Sequence, residues 1–164
     1  DAQPTVSLGP GRRLRVLLLC DLHLGEGAWT AWGPAQDAAT ARAVEAVLEA
    51  AAPGLVVLCG DVVTANDVGF GNVTAYWKGL AGLLQAPGRA LPWAYVFGNH
   101  DDMPFEWPGA WVRGGGHPSP LPPPRPTSRA EIAEFASSLP GAVVPPPGPR
   151  AAWPAASNAA VRVA

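Results

Sequence analysis

The chain is 164 residues long, with eleven Lys and Arg set against thirteen Asp and Glu for a formal net charge of -2. That length suits one domain with a sizeable core and is short for two. No block of like charges marks a nucleic-acid surface and no apolar stretch approaches the roughly 20 residues of a membrane span, so the expected partner is a small substrate or a local protein site.

Leu14 to Leu19 is a short apolar run rich in leucine, and it predicts a buried parallel strand. Cys20 and Cys59 fall inside or beside such runs and read as small buried thiols, although a disulfide between neighbouring strands would also place them there. Gln36 to Ala52 sets Val44, Val47, Leu48 and Ala51 on one face, with Pro53-Gly54 as the stop, which predicts an amphipathic helix. Leu55 to Leu58 repeats the buried-strand pattern and runs through Cys59 into Gly60-Asp61.

Asn72 or Thr74 is placed to cap a second helix that reaches Leu84, with Tyr76, Leu80, Leu83 and Leu84 on one face. Asn72-Val73-Thr74 also fits an N-glycosylation acceptor, which matters only in a secretory context. Trp93 to Phe97 predicts a third strand, ending in Gly98-Asn99-His100-Asp101. Strand and helix alternate, the pattern of an α/β fold with a mostly parallel sheet flanked by helices.

The chain holds twenty prolines and nineteen glycines, and the prolines crowd into its second half. Residues 104–126 therefore predict a Pro/Gly-rich surface loop. Ser128 followed by Glu131 forms a capping box for a helix carrying Ile132 and Phe135, and residues 158–163 predict a last strand.

Chemistry collects where the three strands end. Asp21-Leu22-His23, Gly60-Asp61 and Gly98-Asn99-His100-Asp101 each follow an apolar run. Carboxylate, imidazole and amide groups at such positions suit hard or borderline cations, and Asp21 and His23, two residues apart, can converge on one ion. Asp61 can bridge to a second ion that Asn99 completes. Two cations about 3.5–4 Å apart acidify a bridging water and neutralise charge in an in-line displacement at phosphorus. His100 is placed to donate a proton to the leaving alkoxide; Asp101 and Asp102 can orient His100 or cap the turn, the orienting role being favoured for Asp101.

Each residue also has a local structural reading: Asp21 and Asp61 as caps, His23 as a loop histidine, Asn99 as a left-handed turn residue. Their joint placement at three successive strand ends favours the metal site. His117, among glycines in the irregular region, reads as a solvent-exposed histidine.

The motifs D-x-H, G-D and G-N-H-D, in that order, resemble those of the calcineurin-like metallophosphoesterase superfamily. Forty positions separate Asp21 from Asp61 and thirty-eight separate Asp61 from Asn99, which also fits. The resemblance implies a partial phosphoesterase domain over residues 13–164, the amino-terminal part of an αββα sandwich. It implies metal binding by Asp21, His23, Asp61 and Asn99, catalytic assistance from His100 and Asp101, and a pair of divalent or trivalent ions drawn from iron, zinc and manganese. The substrate it implies is a phosphorylated small molecule or a phosphoprotein.

The segments around Asp21 and Asn99, and the tail from Trp153 to Asn158, are further similar to a subgroup whose plant members are named as probable inactive purple acid phosphatases. His23 and Thr64 stand where true purple acid phosphatases have Gly and a ligating Tyr, so no tyrosinate-iron centre is expected. The family's later G-H-x-H motif is absent from this sequence. The expectation is therefore a fragment or truncated gene product with little turnover of its own, the alternative being a non-catalytic scaffold that keeps the fold. A nucleotide-binding domain is disfavoured because no Gly-rich phosphate loop follows the first strand. Nothing in the sequence decides between a cytoplasmic and a secretory location.

Overall fold

The computed structural model describes residues 6–68, 73–102, 127–143 and 163. The expected loop at 104–126, His117, the glycosylation acceptor Asn72 and all of the expected last strand except Val163 lie outside these residues. Among the described residues the architecture is α/β. Strands β1 (Val16–Leu19), β2 (Leu55–Cys59) and β3 (Trp93–Val96) form one sheet in the order β1-β2-β3, all parallel. Helix α1 (Trp32–Ala51) joins β1 to β2, α2 (Val73–Leu84) precedes β3, and α3 (Arg129–Ser137) follows it. After α3 the chain returns to the sheet, where Trp93 bridges in parallel to Ala142.

The register places Leu17, Val56 and Trp93 in one row and Leu19, Leu58 and Tyr95 in another, all on one face. The helices cover that face. From α1 come the buried Val44 and Leu48, and from α2 the buried Trp77, Leu80, Ala81 and Leu84. Trp77 packs edge-on against Tyr95, with ring centroids 5.2 Å apart. Helix α3 contributes Ile132, Ala133 and Ala136, and the Tyr95 hydroxyl donates to the Ala133 carbonyl at 3.1 Å. Burial pushes the Tyr95 phenol up to about 12.

The opposite face is open along part of its extent, although Leu55 and Ala94 on it are buried. Leu18 is 60% exposed, and Val16 and Val96 are also exposed. β1, expected as a buried parallel strand, is buried less than that: among the described residues it lies at the sheet edge, and its side chains alternate between exposed and half-buried. The same geometry corrects the reading of the thiols. Both cysteines are free, Cys20 exposed and Cys59 half-buried, because the strand alternation turns them away from the helices. They are neighbours there, and partial burial together with Cys20 pushes the Cys59 thiol up.

Helix α1 begins at Trp32, four residues earlier than expected. The Thr30 hydroxyl accepts from the Gly33 amide at 3.0 Å, holding the first turn from outside the helix, and Pro34 fits a first turn because it needs no amide partner. The helix stops as expected, with Ala52 left-handed (φ 41°) just before Pro53. Thr74 lies inside α2 rather than capping it, and the buried face of α2 includes Trp77 in place of the half-buried Tyr76. The capping box of α3 is complete: Ser128 Oγ accepts from the Glu131 amide and Glu131 Oε2 accepts from the Ser128 amide.

Candidate metal centre

Pairing of the first two strands continues past their formal ends and carries the functional residues with it. The Asp21 amide donates to Gly60 O at 3.1 Å, the His23 amide to Asp61 O at 3.0 Å, and Leu24 bridges in parallel to Val63. The third loop joins through the Ala65 amide, which donates to His100 O at 3.0 Å. Three loops from three strand ends are thus tied into one platform.

Glycines permit that closeness. A Cβ on Gly60, itself at φ 100°, would lie 2.7 Å from the Gly98 amide nitrogen, and a Cβ on Gly98 would meet the Asp61 backbone and carboxylate. The glycines of the G-D and G-N-H motifs are therefore required by two backbones passing side by side.

Asp21, His23 and Asp61 each present one ligating atom, all within 4.8 Å of one another. All three hold left-handed backbones, at φ 54°, 45° and 50°. Such conformations cost of order 1–3 kcal/mol each in a residue with a Cβ and persist where the surroundings impose them. Here the continued backbone pairing accompanies them, and the three polar side chains, from two loops, come to one point.

The imidazole of His23 is anchored on one side and faces a carboxylate on the other. Its Nδ1 lies 2.9 Å from Thr64 Oγ1, while Nε2 faces Asp21 Oδ1 at 3.9 Å. A ligating Nε2 must carry a lone pair, so in that state Nδ1-H donates to the Thr64 hydroxyl and sets the tautomer. Asp21 is 70% exposed, leaving the cluster open to solvent on that side. The donor set of two carboxylates and one imidazole suits a borderline divalent ion.

Asn99 is exposed between Gly98 and His100, and the His100 amide donates to Asp61 Oδ1 at 2.7 Å. The His100 and His23 rings meet edge-on with centroids 4.9 Å apart. The three sequence motifs therefore converge.

Asp101, expected beside the His100 imidazole, is turned to a different task. It is fully buried, with Oδ1 accepting from the Val62 and Val63 amides and Oδ2 from the Asp61 and Gly98 amides, at 2.8 to 3.1 Å. Burial pushes its carboxyl up from the ordinary value while the four amides oppose that shift. The carboxylate staples the Asp61 loop to the Gly98 loop. Neither this role nor that of Thr64 has a sequence signal, since each depends on contacts some forty positions away.

An open cleft of about 410 Å³ adjoins the cluster, lined among others by Asp21, Leu22, His23, Glu26, Gln36 and Thr40. Among the described residues, no Lys or Arg lines it.

Comparison with known proteins agrees with this geometry. The chain is similar to Phosphatase DCR2 of Saccharomyces cerevisiae, 33% identical over 97 residues, a match that covers 55% of this chain and 16% of that protein. The family model for calcineurin-like phosphoesterases matches residues 14–141. That span runs from before β1 to beyond α3 and includes all three motifs, so the chain belongs to the calcineurin-like phosphoesterase family.

Proposed function

We propose that this chain carries the strand-end half of a dinuclear phosphoester hydrolase whose substrate is a phosphomonoester or a phosphoprotein. The observation that carries the reading is the convergence of Asp21, His23 and Asp61, with the His23 ring held by Thr64. Asp21 and His23 would hold one ion, Asp61 would reach both, and Asn99 would contribute to the second, the ions being iron, zinc or manganese. Bound there, they would neutralise the phosphoryl oxygens and supply a nucleophilic water at neutral pH. His100, one edge-on contact from His23, would donate a proton to the leaving alkoxide. Asp101 acts through the backbone, fixing the Asp61 and Gly98 loops relative to each other.

The described lining of the adjoining cleft, with the carboxylates of Asp21 and Glu26, supports the same reading. A phosphate dianion entering it meets these carboxylates, and bound metal would balance its charge. Within the family, the segments around Asp21 and Asn99 support a purple acid phosphatase-like subgroup, whose substrates would be phosphoesters.

The test is manganese- or zinc-supported hydrolysis of p-nitrophenyl phosphate by this chain, beside a form extended through any downstream G-H-x-H, each with an Asp61→Asn control. Turnover by the extended form that Asp61→Asn abolishes supports the hydrolase. Metal binding with no turnover by either form would replace it with the scaffold reading.

A further inference from the structure

Arg129 is the first residue of α3 and lies beyond every motif that marks the site, yet its guanidinium reaches back to the third loop. Nε donates to Asp102 Oδ1 at 2.9 Å and Nη2 donates to the Gly98 carbonyl at 2.7 Å. The guanidinium carbon sits 5.9 Å from the centre of the Phe97 ring. Gly98 and Asp102 are the two ends of the segment that carries Asn99 and His100.

We infer that Arg129 is a positioning residue for the metal centre, spanning the mouth of the Gly98–Asp102 loop and fixing the placement of Asn99 and His100. Two anchors then hold this loop from different sides. Asp101 pins it to the Asp61 loop from within, through four buried amides. Arg129 clamps it from the helix side, where the guanidinium is only half-buried.

The planar fork of arginine satisfies an oxygen at each end of the loop at once, and a lysine ammonium has no matching fork. Helix α3 is itself well fixed, by its capping box and by the Tyr95 hydroxyl on the Ala133 carbonyl. It therefore offers a rigid base for the clamp. Because the ion pair is partly solvated, its loss should loosen the loop without unfolding the domain.

The claim about loop position stands apart from the phosphoesterase reading and rests on it only for the consequence on turnover. The first readout therefore uses no substrate. The His100 amide donates to Asp61 Oδ1, so its hydrogen exchange reports whether the loop is closed, and the Ala52 amide, which donates to Leu48 O at the end of α1, serves as a distant control. In Arg129→Gln, His100 exchange should accelerate at least tenfold while Ala52 exchange and the urea midpoint hold. Arg129→Lys should recover only part of the protection. Asp102→Asn should act in the same direction, and the double variant should exceed neither single variant by more than about twofold, because both remove one clamp.

In a form that turns over p-nitrophenyl phosphate, Arg129→Gln should lower kcat about tenfold with KM within twofold. Unchanged His100 exchange in both Arg129→Gln and Asp102→Asn would overturn the inference, whether or not the protein hydrolyses phosphate. If Arg129→Gln fails to fold, Asp102→Asn decides alone. Accelerated His100 exchange in a chain without turnover would uphold the clamp while removing the hydrolase.

Discussion

At the scale of single residues, the site depends as much on what fixes the ligands as on the ligands themselves. Asp101 accepts four backbone amides without solvent contact, so replacing one oxygen by an NH₂ leaves amides facing a donor. Asp101→Asn should therefore destabilise the fold by about 3 kcal/mol, measured from the urea midpoint, even though the side chain keeps its shape. The ligand candidates Asp21, His23, Asp61 and Asn99 were legible in the sequence because D-x-H, G-D and G-N-H-D are local patterns placed at strand ends. The parts played by Thr64, Asp101 and Arg129 were not. Each is defined by a partner on another loop, as when Thr64 meets His23 across forty-one positions, and spacing carries no trace of such a contact.

At the scale of elements, strand identity and parallel pairing followed from apolar runs and punctuation, whereas the burial of each strand did not. A leucine-rich run such as Val16–Leu19 reads the same whether both faces or one are covered. The structure covers one face and leaves Leu18 60% exposed. Leu48→Ala, in the packed face of α1, should cost about 2–4 kcal/mol, while Leu18→Thr should stay within about 0.5 kcal/mol by chemical denaturation.

Tyr95 on β3 gives a second element-scale prediction, because burial between the sheet and α3 raises its phenol to about 12. The unfolded chain releases this proton near its ordinary value of about 10, so between about 10 and 12 the folded state holds more protons than the unfolded one. Stability should be insensitive to this group below about pH 10 and should fall by about 2–3 kcal/mol as pH rises through that window. Tyr95→Phe should remove this component of the loss, and ultraviolet titration should show one tyrosine ionising late.

At the scale of the whole molecule, three parallel strands, the helices packed on one face and the platform of loops at the strand ends make one unit. Removing backbone freedom from the loops is what turns dispersed carboxylates and an imidazole into a cluster, and the left-handed backbones at Asp21, His23 and Asp61 record that constraint. The family model spans residues 14–141, while the match to Phosphatase DCR2 covers 16% of that relative. The central claim is that this span holds metal through Asp21, His23 and Asp61. Calorimetric titration with Mn²⁺ of the chain, Asp61→Asn and Thr64→Val tests it most directly. Saturable binding is expected, weakened about 10–100-fold in Thr64→Val through loss of the His23 anchor and at least as much in Asp61→Asn, with all three proteins folded. Equal Mn²⁺ affinity in all three, or no binding by the folded parent chain, would contradict it.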